Sequence, residues 1–269
     1  MQFANIITLT TDFGLEDVYV GQVKGAVLKS NLSVNLIDLC HSIQAHDVLA
    51  AAVTIRTSYR YFPKGTIHLI IVDPGVGSKR RILAAASENH LFIAPDNGVL
   101  SLLFQDNIIQ TVYRVENSSL FPSEISSTFH ARDIMAPVTG ALAGGMPLDK
   151  VGPKAEISSC VQLSLPQPVI THDKVEGQVL HIDRFGNIRT NINITAADLT
   201  EDLVRFSEVR IKGHQVTTIS STYSDSPAGS LVALIDSSGY LEIAVNKGSA
   251  AALTKCRIGT PLILLLEKK

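Results

Sequence analysis

The 269-residue chain lacks any apolar run long enough to cross a bilayer; its longest, Ile67 to Val72 and Pro261 to Leu266, are strand-sized. It also lacks a basic stripe. Lys and Arg number 23 against 25 Asp and Glu, a formal charge of −2 with the basic residues scattered, which argues against nucleic acid as a partner. Cysteine is scarce: Cys40, Cys160 and Cys256 are far apart and odd in number, with no CxxC or Cys/His cluster. They read as small buried hydrophobes in a reducing compartment. The N-terminal stretch MQFANIITLTTDFG has no basic region followed by an apolar one, so no signal peptide is expected. A cytoplasmic protein with no membrane partner is the resulting expectation. There is no internal repeat and no low-complexity tract. With 45% hydrophobic and 18% charged residues, the composition excludes disorder and predicts a sizeable core.

What the sequence does contain is two different rhythms. In the first half, strand-like runs (Asn5 to Thr11, Asn35 to Leu39, Thr66 to Val72, Ile82 to Ala86, Leu91 to Ala94) alternate with helix-like stretches (Asp17 to Ser30, Asp47 to Tyr61, Gly98 to Phe104, Asp133 to Ala143). That alternation predicts an α/β domain with a largely parallel sheet. After about Gly152 strands dominate, separated by turn signals such as Phe185-Gly186-Asn187, Lys212-Gly213-His214 and Ser238-Gly239. This part reads as a smaller C-terminal β-barrel-like domain. The expected boundaries are an N-terminal domain over 1–160, a proline-rich linker over 161–174 and a β domain over 175–269.

Four stretches place polar residues and glycines at strand ends, where open α/β sheets bind ligands. Thr11-Asp12-Phe13-Gly14, followed by Asp17, offers a carboxylate able to accept two hydrogen bonds from a ribose diol; the same residues could simply cap the next helix. Asp73-Pro74-Gly75-Val76-Gly77-Ser78-Lys79-Arg80-Arg81 lets a tight loop face one carboxylate with one guanidinium, or forms an ordinary turn. It is no P-loop, because the Walker spacing and its lysine–hydroxyl pair are missing. His130, in Ser127-Thr128-Phe129-His130-Ala131-Arg132-Asp133, is a candidate proton acceptor or water-orienting group; one histidine among scattered aspartates makes only a weak metal site, and no metal is expected. Asp183-Arg184-Phe185-Gly186-Asn187 combines an anion, a stacking face and an amide, a set that suits a purine and an ammonium group and equally suits a β-turn.

Taken in order, these stretches resemble the S-adenosylmethionine hydrolase (adenosine-forming) family, relatives of the fluorinase and chlorinase enzymes. The matching segments are TDFGLEDVYVGQVKG, VDPGVGSKRR, APDNG, STFHARD, IDRFGNIRTNI and DSSGYLEIAVNKGSAA, spread over nearly the whole chain. The resemblance implies an N-terminal α/β domain, a C-terminal β-barrel domain and a homotrimer whose active sites lie at subunit interfaces. It implies that Asp73, Arg80 and His130 hold and activate a water. It further implies that Asp12 binds the ribose diol, that Asp17 and Asp183 lie near the methionine amino group, that Phe185 and Asn187 line the adenine pocket, and that Ser237 contacts the methionine end.

Halogenases of this superfamily carry a serine halide ligand where this chain has Ala131, and they lack the Asp73/Arg80 pair. Ser238, Val245 and Lys247 also depart from the halogenase pattern. The implied reaction is attack of water on the ribose C5′ carbon of S-adenosyl-L-methionine, giving adenosine and methionine. Because the sulfonium leaves as a neutral thioether, no acid, metal or other cofactor is required; S-adenosylmethionine is substrate. The rival readings are a non-catalytic module that binds adenosine or S-adenosylmethionine, and a chlorinase acting on the same substrate.

Overall fold

The computed structural model describes residues 4–164, 166–194, 204–217 and 219–268, and the chain divides into two compact units, Met1–Leu163 and Ser164–Lys269.

The first unit is built on a seven-stranded sheet of β1 (Ile6–Thr11), β2 (Asn35–Cys40), β3 (Ile67–Ile71), β4 (Ile82–Ala86), β5 (Leu91–Pro95), β6 (Thr111–Arg114) and β7 (Lys154–Ala155), in the order β2-β1-β3-β5-β4-β6-β7. The strands that alternate with helices in the sequence form its parallel part, β2-β1-β3-β5; β4, β6 and β7 pair antiparallel beyond it. β3 is buried along its whole length, as a strand covered on both faces must be. Ile67, Leu69 and Ile71 point to one core with Val23 and Val27 of α1 (Tyr19–Ser30) and Val138 and Leu142 of α4 (Ala136–Ala143). Ile70 and Val72 point to the other, with Ala51 and Ile55 of α2 (Val48–Ser58) and Leu103 of α3 (Ser101–Gln105). α1 and α4 approach so closely that a Cβ on Gly140 would lie 2.7 Å from the Val27 carbonyl.

Two helices differ from the sequence expectation. The Gly98 to Phe104 stretch is helical only from Ser101, because Gly98 turns with φ of 96°. Residues Ala131–Met135 form a π-type turn that runs into α4, where a single α-helix is expected from Asp133. Such turns add a residue to the helix and re-aim the side chains at its start.

The second unit is a barrel-like sheet of β8 (Val169–Ile170), β9 (Lys174–Ile182), β10 (Ile188–Asn193), β11 (Val204–Ile211), β12 (His214–Val216), β13 (Ile219–Ser220), β14 (Leu231–Ile235), β15 (Tyr240–Val245) and β16 (Pro261–Lys268). Its order is β12-β11-β16-β9-β10-β15-β14-β13, with β8 on β9, and β12 meets β14 while β11 meets β13. Lys212 and Gly213 both have positive φ (49° and 79°), the two-residue hairpin turn whose twist suits antiparallel strands. β11 begins at Val204, earlier than the Glu208 start expected, because it pairs along β16. The Gln215 to Ile219 run is broken into β12 and β13. Val179, Ile188, Ile192, Leu241, Ile243 and Leu264 form the core. α5 (Ala250–Thr254) is capped by Ser249. Cys40, Cys160 and Cys256 are free thiols. Among the described residues no helix is long and apolar enough to cross a membrane.

Candidate active site

In the first unit, the loops after β1 and β3 and the segment before the π-type turn enclose a cleft of about 420 Å³. Asp12, Asp73 and His130 line it, together with Phe13, Tyr19 and Phe129. The three rings pack edge-on or tilted, with centroids 5.6 to 6.1 Å apart, and Arg132 caps Phe129 at 4.9 Å. An aromatic wall of this kind supplies apolar contact beside a few fixed polar groups, the usual make-up of a small-molecule site. Motif reading does not single out these rings, although each stands within two residues of one it does name or, for Tyr19, of Asp17.

Asp73, Arg80 and His130 are joined. Arg80 Nε donates to both Asp73 oxygens at 2.8 Å, and Nη2 donates to Asp73 Oδ2. Arg80 Nη2 also stands 3.1 Å from His130 Nδ1. The Arg80 and Asp73 side chains are 9% and 8% exposed, so the ion pair is largely shielded from water. Asp73 and His130 form part of the cleft wall, whereas Arg80 stands behind them and ties them together. Burial, and after it the Arg80 charge, push the His130 pKa below its ordinary value. The segment bearing His130 is closed by Asp133, whose Oδ2 accepts from the Ser126 N–H at 2.8 Å. The Arg132 hydrogen bond holds the Asp133 carboxyl below the usual carboxylate range.

Asp12 accepts the His46 N–H at 2.9 Å through Oδ2. His46 lines the same cleft and has φ of 69°, a left-handed conformation that a histidine adopts at a cost. Nothing in the sequence marks it. Beneath Asp12, Thr11 Oγ1 lies 2.9 Å from His41 Nδ1 and accepts the Phe13 N–H at 3.2 Å. Asp17 is exposed in the turn before α1 and is not brought into the cleft wall.

The second unit holds the other sequence-predicted residues in two turns. Asp183 Oδ1 accepts the backbone N–H of Phe185 at 2.9 Å and of Asn187 at 2.8 Å, and Oδ2 accepts Asn187 Nδ2 at 3.0 Å. The turn leaves the Phe185 ring 76% exposed. Gly186 is required there: with φ of 82°, a Cβ would fall 2.0 Å from Ser249 Oγ. Ser237 is exposed in a turn organised by Asp236, whose Oδ1 accepts the N–H groups of Ser238 (2.7 Å) and Tyr240 (3.0 Å). Arg189 Nε lies 2.6 Å from Asp236 Oδ2, an ion-pair contact whose angle is poor for a hydrogen bond. Asp236 is a further organising residue that motif reading does not single out.

Residues 7–152 match the SAM hydroxide adenosyltransferase N-terminal domain, and residues 177–263 match the C-terminal domain of the same family. A protein of Salinispora arenicola named (R)-S-adenosyl-L-methionine hydrolase is 34% identical over 95% of this chain and 96% of its own length. One of the same name from Thermus thermophilus is 33% identical, covering 95% and 97%. A fluorinase of Nocardia brasiliensis is 32% identical over 91% and 92%. The crystal structure of a conserved protein from Thermotoga maritima superposes with a TM-score of 0.86 at 33% identity, over 96% of this chain and 99% of that one. With both halves matched in order, this chain belongs to the SAM hydroxide adenosyltransferase family.

Proposed function

We propose that this enzyme hydrolyses S-adenosyl-L-methionine to adenosine and L-methionine, with a water held by Asp73 and His130. The observation that carries the assignment of the water site is the joined Asp73–Arg80–His130 set at the wall of a cleft that also contains Asp12. Arg80 can only donate, so His130 Nδ1 accepts and the ring proton sits on Nε2. A water placed between the two groups accepts from Nε2–H and donates to Asp73. One lone pair then remains for attack on C5′. As the C–O bond forms, the C–S bond breaks and methionine leaves as a neutral thioether. The attacking oxygen becomes strongly acidic at that stage, so a carboxylate within reach suffices to take its proton. Orientation of the water and exclusion of bulk solvent supply the rate advantage. No metal or redox group enters this chemistry.

Asp12 is the ribose-diol ligand in this reading. Asp17 and Asp183 serve the methionine ammonium, Phe185 and Asn187 the adenine, and Ser237 the methionine end. Ala131, buried at the cleft, offers no side-chain donor to offset the dehydration of a halide, which favours water over chloride as nucleophile.

The working form is a homotrimer with the site shared between subunits, and the protein acts in the cytoplasm. The supporting feature is exposed apolar surface in both units: Leu15, Val18, Tyr19, Val76 and Ile125 near the cleft loops, and Phe185, Leu253 and Ile258 in the second unit. Where exposed apolar groups gather into one patch they mark an interaction surface. Three free cysteines fit a reducing compartment. Light scattering after gel filtration tests the assembly, with the mass of three 28.9 kDa chains as the expected result.

The activity itself is tested by incubating the protein with S-adenosylmethionine in chloride buffer and following products by chromatography with mass detection, beside Asp73→Ala. Adenosine and methionine from the wild type alone support the reading. Substrate that stays bound and intact would make the protein a binding module, and 5′-chloro-5′-deoxyadenosine would make it a chlorinase.

A further inference from the structure

We infer that Asp96 and Asn97 are positioning residues that set the separation and aim of Asp73 and Arg80; this rests on the water-holding role proposed for that pair. Sheet order dictates the path of the loop that carries the pair. β5 lies between β3, its parallel neighbour, and β4, its antiparallel neighbour. The segment that leaves β3 and enters β4 must therefore cross the C-terminal end of β5. That crossing segment is residues 72–81, which carries Asp73 at its start and Arg80 at its finish. Asp96 and Asn97 are the two residues that emerge from the end of β5 beneath it.

They bind both ends of the crossing. Asn97 Nδ2 donates to the Val72 carbonyl at 2.8 Å, one residue before Asp73. Its Oδ1 accepts the Val99 N–H at 3.2 Å, which fixes which way the amide faces, since a flipped amide would oppose oxygen to oxygen and nitrogen to N–H. Asp96 donates its backbone N–H to the Arg81 carbonyl at 2.9 Å and accepts Arg81 Nε on Oδ2 at 2.7 Å, one residue after Arg80. Asp96 Oδ1 accepts the Val161 N–H at 2.8 Å, and Arg81 Nη1 donates to Ser159 Oγ at 3.1 Å, so the clamp is itself anchored to the chain that follows Glu156. Asp96 is buried while residues 76–79 of the loop are exposed. The loop is thus held at its feet rather than along its crest. Between the feet, Asp73 and Arg80 meet through two hydrogen bonds of 2.8 Å from one nitrogen, a contact that a shift of either foot would open.

Neither residue lines the cleft, so both act through their neighbours. Displacing a reacting group by about 1 Å costs on the order of 100-fold in rate, whereas substrate contacts elsewhere are left alone. Asn97→Asp is the sharpest variant. It keeps an oxygen for the Val99 N–H and removes the donor to Val72. Asp96→Asn removes the charge that holds Arg81, and Asn97→Ser is the companion should Asn97→Asp not fold.

Steady-state kinetics with S-adenosylmethionine, beside circular dichroism, gives the test. The expected result is a kcat about 10- to 100-fold lower in folded Asn97→Asp and Asp96→Asn, with KM within about twofold of wild type. In an Asp73→Asn background, which keeps a residual rate, the same changes add little further loss, because they act through Asp73 and Arg80. A folded variant with wild-type kcat, or a loss confined to thermal stability, overturns the clamp. Asp73→Ala alone separates the two claims. If it keeps full activity, the water-holding reading fails; if it is inactive while Asn97→Asp and Asp96→Asn are normal, only the positioning role fails.

Discussion

Arg80 Nη2 lies 3.1 Å from His130 Nδ1, and because a guanidinium has no acceptor this contact fixes His130 as the neutral tautomer with its proton on Nε2. Burial and the Arg80 charge both act against a second proton. The expected outcome is an activity that is level through pH 6.5, where a free histidine titrates, and that falls only at lower pH. Titration of the His130 ring by NMR should give the same lowered value. Arg80→Met should move it back up, part of the way, since burial remains. A His130 midpoint at or above that of a free histidine would remove the tautomer from the mechanism.

Removing members of the set should cost rate rather than binding. Asp73→Asn and His130→Ala are each expected to lower kcat by about 100-fold or more, the range for a single aligned polar or proton-handling group. KM for S-adenosylmethionine should stay near wild type, because Asp12 and the turns of the second unit are untouched. The double variant should lose much less than the product of the single losses, as groups acting on one water do. Additive losses would mean that the two residues act on different steps.

Gly77 is where the loop bearing Asp73 and Arg80 touches the segment bearing His130. Its φ is 79°, and a Cβ there would stand 2.3 Å from the Ser127 carbonyl oxygen. Gly77→Ala should therefore push the two segments apart. The left-handed backbone costs about 1–2 kcal/mol of stability for any residue with a Cβ, and kcat should fall about 10- to 100-fold as the set loses alignment. Kinetics paired with thermal melting distinguishes this from simple unfolding; full activity would show that the two segments tolerate separation.

Much of this site is readable from the sequence because it lies at strand ends. Asp12 and Asp73 are polar residues flanked by apolar runs and glycines, a contrast that a linear pattern preserves, whereas His130 stands in a polar, glycine-free stretch just before a helical segment. Arg80 is readable as a charge eight positions into a tight loop, but its place behind Asp73 and His130 is not, since that depends on β5 lying between β3 and β4. His46 escapes notice because its role belongs to its backbone N–H and its left-handed φ, and neither leaves a compositional trace. The π-type turn at Ala131–Met135 escapes for a similar reason: one extra residue in a helical turn leaves the apolar spacing nearly unchanged. β11 is read short because its early part gains its strand character from pairing with β16 rather than from its own alternation.

Phe185 offers a test in which stability and function part company. Its ring is 76% exposed, so truncation removes little buried surface and should shift unfolding by no more than about 0.5 kcal/mol. If the ring stacks on adenine, Phe185→Ala should cost about 1–3 kcal/mol of binding, roughly 5- to 150-fold in KM, with a smaller change in kcat. Calorimetric titration with adenosine should show the same loss. An unchanged affinity would place the purine elsewhere.

His68 makes a prediction about stability alone. It is fully buried on β3, with Nδ1 2.8 Å from Thr8 Oγ1 and Nε2 3.2 Å from His90 Nδ1, and its ring stacks on Phe92 at 5.1 Å. Burial, then the neighbouring His90, push its pKa down to about 3. Unfolded, the same ring titrates near 6.5. Between these values the unfolded chain binds a proton that the folded chain does not, so stability is complete above pH 6.5 and drains away as pH falls towards 3. One such group contributes a slope of about 1.4 kcal/mol per pH unit over that window. Urea melts of the wild type at pH 4.5, 5.5, 6.5 and 7.5 should show a steeper acid loss than melts of His68→Gln. The variant should be the less stable of the two at pH 7.5, where the wild-type ring is neutral and well packed, and the gap should narrow as pH drops. Parallel curves would mean that His68 takes up its proton inside the fold, which its position between Thr8, His90 and Phe92 argues against.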